Sequence, residues 1–178
     1  MPLILVTGAA RSGKSEWAEC LAAQSGLAVV YVATAQVDDT DLEWRARIER
    51  HQRRRPPAWT TRHVPIALAA TVEQAPATQC LLIDSLGTWL ANRLEADELT
   101  WETTEQHLLA VLAQASSQVI VVAEETGWGV VPAYPLGRTF RDRLGRLTRA
   151  IAAIADPAYL VVAGYALNLK QLGVPIRT

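Results

Sequence analysis

The feature that most restricts what this chain can fold into is a short apolar run, Leu3 to Thr7, leading straight into Gly8-Ala9-Ala10-Arg11-Ser12-Gly13-Lys14-Ser15. The segment fits G-x-x-x-x-G-K-[ST] at every defined position and opens a helical pattern, the strand-loop-helix setting that a phosphate-binding loop requires. Its glycines let the backbone turn tightly and present amides to phosphate oxygens, and the helix N-terminus adds partial positive charge. In such a loop Lys14 serves the β and γ phosphates and the Ser15 hydroxyl serves magnesium. A glycine turn that merely caps a helix is the competing reading.

The rest of the chain alternates β-branched runs with longer helical patterns, which predicts an α/β fold: a mostly parallel central sheet with helices on its faces. Strands are expected at Leu3 to Thr7, Ala28 to Ala33, Cys80 to Ile83, Val119 to Ala123 and Tyr159 to Ala163. Each is nearly continuously apolar, as fits strands covered on both faces. Helices are expected at Lys14 to Ser25, Asp41 to Arg54, Ile66 to Gln74, Gly87 to Leu94, Thr103 to Gln114 and Leu136 to Ala155. Pro56-Pro57 stops the second of these, because proline lacks the amide donor and restricts the residue before it. At 178 residues, half of them apolar, the chain suits one nucleotide-binding domain with a core that needs no staples.

The formal net charge of -1 argues against a general nucleic-acid binder, whose domain would carry a basic excess. Cys20 and Cys80 lie far apart in apolar stretches, without zinc or redox spacing, and read as reduced core thiols of a cytoplasmic protein. No apolar run approaches the length that spans a membrane, and the N-terminus does not read as a signal peptide.

A phosphate loop needs a carboxylate at the end of a neighbouring strand to support magnesium, and Leu81-Leu82-Ile83-Asp84 supplies one. A cap for the helix near Gly87 is a second, compatible reading of Asp84. Positive charge concentrates in six arginines between Arg45 and Arg55. On a helix, Arg47, His51, Arg54 and Arg55 share one face. A neutral imidazole there can attack phosphorus, with the guanidiniums neutralising phosphate charge. A solvated basic face with an incidental histidine explains the same spacing. Trp59, Trp89 and Trp128 are open to two readings, stacking on a ligand or packing in a core or interface.

The loop identifies the handled group and not the reaction. Without an N-K-x-D guanine-reading motif the chain does not resemble the common switch GTPases, and its size suits a small-molecule transferase. The run Ile4 to Ser15, then Tyr31-Val32-Ala33-Thr34-Ala35, then Arg47-Ile48-Glu49-Arg50-His51 with Arg55-Pro56 and Trp59, resembles a known family. It is the bifunctional adenosylcobinamide kinase and adenosylcobinamide-phosphate guanylyltransferase of cobalamin biosynthesis. Glu125 to Pro132, Arg138, Phe140-Arg141-Asp142 and Gly145-Arg146 continue the likeness over essentially the whole chain.

The resemblance implies a RecA-like, three-layer P-loop NTPase fold. It implies phosphorylation of adenosylcobinamide by ATP or GTP, with Mg2+, followed by GMP transfer from GTP through a guanylylated His51. It places Ala33, Thr34 and Ala35, Gln52, Arg53, Arg54 and Arg55, and Asp84 near the guanine nucleotide, and Glu125 with the glycine segment on the corrinoid or phosphate side. It also implies a homotrimer. The chain departs from the family pattern at His63, where an acidic residue is usual, at Glu124 and Thr148, where asparagine is usual, and at Thr126, where valine is usual. A kinase without the transferase step, and a nucleotide-binding regulatory protein, are the alternatives.

Overall fold

The computed structural model describes residues 3–36, 55–129 and 131–176. Seven strands form one sheet: β1 Leu3–Gly8, β2 Ala28–Ala33, β3 Thr60–His63, β4 Gln79–Asp84, β5 Gln118–Glu124, β6 Ala158–Val162 and β7 Tyr165–Asn168. Their order is β3-β2-β4-β5-β1-β6-β7. All neighbours are parallel except β6 and β7, a tight antiparallel hairpin. The described helices are α1 Lys14–Gln24, α2 Leu68–Glu73, α3 Leu86–Ala91, α4 Glu98–Gln114, α5 Pro135–Ile154 and α6 Leu169–Leu172.

Alternation along the central strands sends successive side chains to opposite faces and so builds two cores. Leu3, Leu5, Leu81, Ile83, Val119 and Val121 pack with α2 to α5 through residues such as Leu68, Trp89, Leu108 and Leu147. Ile4, Val6, Cys80, Leu82, Ile120 and Val122 pack against Ala18 and Ala22 of α1. Helices on both faces make three layers. Among the described residues no helix is long and apolar enough to cross a membrane.

All five expected strands are present within a residue or two of their expected ends. Two others, β3 and β7, belong to polar or exposed stretches at the sheet's edges, where pairing rather than apolar content makes a strand. The helix expected from Thr103 starts at Glu98 instead, because Asp97 caps it by accepting from the Thr100 amide at 2.9 Å. Trp101, inside this first turn, is fully buried. The expected helix from Asp41 to Arg54 lies outside the described residues. Both cysteines are free, with Cys80 buried and Cys20 only half-buried, so the core reading holds for Cys80 alone.

Candidate functional site

The loop from Gly8 to Gly13 leaves the C-terminal end of β1 and enters α1 at Lys14. Gly8 is required by close approach, since a Cβ there would collide with the Val161 carbonyl of β6. Two residues of the loop have positive φ, Arg11 at 58° and Gly13 at 96°, a geometry that turns successive amides toward one point. Lys14 is buried, and its Nζ donates to the Ala9 carbonyl at 3.3 Å. The Ser12 hydroxyl is also buried and has no partner among the described residues. A cationic group folded onto its own loop, beside an unpartnered hydroxyl and inward-turned amides, has the donor set that a polyphosphate chain needs.

Asp84 ends β4, which is not a direct neighbour of β1: β5 lies between them, and the expected adjacency is corrected accordingly. On that side it is β5 that flanks β1, and it brings Glu124 level with Gly8 in register. Asp84 accepts a 2.6 Å hydrogen bond from the Tyr31 hydroxyl. Burial, reinforced by the Asp84 charge, pushes the Tyr31 phenol well above its ordinary value, so Tyr31 stays a donor. The guanidinium of Arg55 lies 3.3 Å from the centroid of the Tyr31 ring and donates to Thr61 at 3.1 Å. Arg55 is thereby tied to Asp84 through one tyrosine, which sequence reasoning passed over as a core residue of β2.

Clefts open on both flanks of β1's C-terminal end. One, of about 270 Å³, is lined by residues including Thr7, Glu125, Thr126, Arg141, Thr148 and Arg149. Glu125 is pinned there twice: its amide donates to the Gly8 carbonyl at 3.0 Å, and its carboxylate accepts from Thr7 at 2.7 Å. The other, of about 480 Å³, lies between α1 and the β6-β7 hairpin.

A family model described as cobinamide kinase / cobinamide phosphate guanyltransferase matches residues 4–169. The chain belongs to this family. It is similar to the bifunctional adenosylcobalamin biosynthesis protein CobP of Pseudomonas aeruginosa, at 45% identity over 93% of this chain and 96% of that protein. It is also similar to the bifunctional adenosylcobalamin biosynthesis protein CobU of Salmonella typhimurium, at 36% identity over 94% and 99% of the two chains. Among solved structures, a protein of Pyrococcus horikoshii OT3 aligns with a TM-score of 0.57 at 9% identity, covering 94% of this chain and 85% of that one. An ATPase from a type III secretion system aligns with a TM-score of 0.56 at 10% identity, covering 98% of this chain and 59% of that one. These likenesses, with the strand order, show the RecA-like, P-loop NTPase fold.

Within this fold, Gly8 to Ser15, Ala33 to Ala35 and Asp84 follow or end β1, β2 and β4 at the C-terminal edge of the sheet, whereas Arg55 precedes β3 and lies against Tyr31 and Thr61. His51, Gln52, Arg53 and Arg54 lie outside the described residues. Thr34 is fully buried, and its hydroxyl faces inward: it donates to the Ser85 carbonyl at 2.7 Å, accepts from the Ser85 amide at 2.9 Å and lies 2.6 Å from the Thr88 hydroxyl. Ser85, not Asp84, caps α3, in a reciprocal box with Thr88. The Ser85 hydroxyl donates to Glu124, whose other oxygen accepts from the Gly87 amide at 3.0 Å. Asn92 closes the knot by donating to the carbonyls of Thr34 and Pro65 at 2.8 and 3.0 Å.

The family departures therefore have places. Glu124 braces the start of α3, and Thr148 presents a buried hydroxyl, unpartnered among the described residues, to the smaller cleft. His63 ends β3 in register with Ala33. Of the three tryptophans, Trp89 is core and donates to the Ile66 carbonyl at 3.1 Å, Trp59 packs half-buried against the α1-side core, and Trp128 is 63% exposed. The capping signal S-x-x-T at Ser85 was available in the sequence; the Glu124 contact, 39 residues away, was not.

Proposed function

We propose that this chain phosphorylates adenosylcobinamide with ATP or GTP and then transfers GMP from GTP to the adenosylcobinamide phosphate, giving adenosyl-GDP-cobinamide in cobalamin biosynthesis. The observation that carries the reading is a phosphate cradle with a buried Lys14, standing in a chain that matches the kinase and guanyltransferase family from residue 4 to residue 169.

In the kinase step the acceptor hydroxyl forms its bond to the γ-phosphorus as the bond to the β,γ-bridging oxygen breaks and the nucleoside diphosphate leaves. Lys14 and the loop amides hold the phosphates in line and stabilise the charge that develops on them. Ser15 and Asp84 suit Mg2+, a hard cation that favours oxygen ligands and keeps most of its contacts for water and phosphate. When bound, it neutralises phosphate charge. Tyr31 holds the Asp84 carboxylate in place. The smaller cleft, with Arg141, Arg149 and Glu125 among its lining residues, suits the charged and polar acceptor side.

In the transfer step the neutral imidazole of His51 attacks the α-phosphorus of GTP and pyrophosphate leaves. The phosphate of the first product then attacks the same phosphorus, the nitrogen-phosphorus bond breaks, and His51 is regenerated. Ala33 to Ala35, Gln52 to Arg55 and Asp84 are read as the guanine-nucleotide side. The support for His51 is the R-I-x-x-H frame with its flanking arginines. The reading extends to one domain that carries both activities, in the cytoplasm, as a homotrimer.

Incubation with GTP labelled at the α-phosphate, followed by denaturation and peptide mapping, tests it directly. The expected result is a GMP adduct on His51, stable to base and labile to acid. Bound GTP without an adduct would remove the covalent step and leave a kinase.

A further inference from the structure

Transfer of a phosphoryl group to an alcohol needs a base for the hydroxyl proton, a role that the groups holding phosphate and metal do not fill. Three described carboxylates stand at the ends of the strands nearest the phosphate loop: Asp84 on β4, Glu124 on β5 and Glu125 directly after it. Asp84 accepts from Tyr31 at 2.6 Å and is read as the metal ligand. Both oxygens of Glu124 are engaged, one by the Ser85 hydroxyl and one by the Gly87 amide. Glu125 keeps one oxygen free: Oε1 accepts from Thr7 at 2.7 Å, and Oε2 has no hydrogen bond or ion pair among the described residues. The described histidines do not compete. His63 ends β3, four strands from β1 and so about 19 Å away at ordinary strand spacing, and His107 lies on α4, 3.2 Å from Glu73.

We propose that Glu125 is the general base of the kinase step and takes the proton of the acceptor hydroxyl on Oε2. The assignment rests on the kinase reading of this site given above. The backbone of Glu125 is fixed to the loop, its amide donating to the Gly8 carbonyl at 3.0 Å, and Thr7 fixes the carboxylate from the penultimate position of β1. The cleft that Glu125 lines opens on the sheet face opposite α1. Leu5 and Thr7 line it, and Leu5 belongs to the core beneath α5, whereas α1 packs on Ile4 and Val6. An acceptor in that cleft therefore reaches the loop from the side away from the helix that anchors the phosphates. In-line displacement requires the attacking and leaving oxygens on opposite sides of phosphorus, and approach from opposite faces of the sheet allows it. Thr148 lines the same cleft with a hydroxyl that is buried and unpartnered among the described residues, a polar group that lacks a ligand. At about 270 Å³ the cleft suits the hydroxyl-bearing end of a large acceptor rather than the whole of it.

In the step itself the hydroxyl oxygen bonds to the γ-phosphorus as its proton passes to Oε2. The bond to the β,γ-bridging oxygen breaks, its electron pair leaves with the nucleoside diphosphate, and Glu125 later gives the proton to water. The transfer step makes no such demand. Its nucleophile is a phosphate monoester, whose second ionisation lies at about pH 6, so it attacks as an anion with no proton to remove.

The two reactions, measured on the full chain, decide this. Glu125→Gln keeps the shape and an acceptor for Thr7 but cannot take a proton. It is expected to lower kcat for phosphorylation of adenosylcobinamide at least about a hundredfold, with KM within about threefold of wild type. GMP transfer onto ready-made adenosylcobinamide phosphate is expected to suffer a loss at least about tenfold smaller. Equal losses in the two reactions would make Glu125 a positioning residue, and a kinase loss under about tenfold would remove it from proton transfer; either result overturns the proposal. Glu125→Ala gives an independent readout on one protein: added sodium formate is expected to raise its kinase rate at least about tenfold, and an unchanged rate would overturn the proposal. If wild-type protein bound ATP yet phosphorylated no adenosylcobinamide, the kinase reading itself would fall, and the role of Glu125 with it.

Discussion

The loop at residues 8–15 and the polar knot around Ser85 stand at the same edge of the sheet, yet they treat their hydrogen-bonding groups in opposite ways. In the loop, a buried ammonium has a single long contact to its own backbone and a buried hydroxyl has no partner among the described residues. In the knot, Thr34, Ser85, Thr88 and Glu124 satisfy one another, and Asn92 closes the carbonyls of Thr34 and Pro65. Buried polar groups without partners are costly, so they persist where a ligand supplies the missing bonds. A fully satisfied network instead rigidifies what it holds, here the stretch that presents Asp84. The contrast separates groups built to bind from groups built to position.

The largest effect is expected where binding is concentrated. Lys14→Ala should lower kcat/KM of the kinase reaction at least a hundredfold, the scale for losing one preorganised charge partner, while thermal unfolding barely moves. A large fall in Tm for this variant would show that the loop is structural and erase the contrast.

The knot should answer in the opposite sense. Glu124→Ala leaves the Gly87 amide and the Ser85 hydroxyl without their acceptor and is expected to cost roughly 2 kcal/mol, a Tm lower by about 4–8 °C. Combined with Thr34→Val in a double-mutant cycle, it should show a coupling above about 0.5 kcal/mol, because both side chains act on Ser85. Strict additivity would mean that the knot is not one unit.

Tyr31→Phe probes the join between the two regions. Without its hydroxyl the Asp84 carboxylate loses a 2.6 Å donor, and the magnesium concentration for half-maximal kinase activity is expected to rise about tenfold. The change in Tm should stay near 1 kcal/mol equivalent. An unchanged magnesium dependence would detach Asp84 from the metal.

What could be read in advance follows the range of the interactions. The loop was legible because its function needs contiguous residues, and the five apolar strands were legible because burial on both faces leaves a continuous hydrophobic run. β3 was not, since Thr60-Thr61-Arg62-His63 is exposed throughout and owes its form to pairing with β2. β7 was hidden by Ala163-Gly164, a turn without the usual asparagine or aspartate. In the site, Asp84 was found from its hydrophobic strand, whereas Tyr31 looked like one more core residue and Glu124 like a mere departure from family pattern.

By itself the sequence determined that an α/β chain opening on a P-loop would form, because strand, glycine loop and helix are encoded within a dozen neighbouring residues. Only the tertiary structure decided that β5 separates β1 from β4, that Thr34 faces inward, that Arg55 reaches Asp84 through Tyr31, and that a hairpin walls the cleft beside the loop. Those relations join residues tens of positions apart, and no local pattern specifies them: they exist only once the sheet order and register have brought the strand ends together.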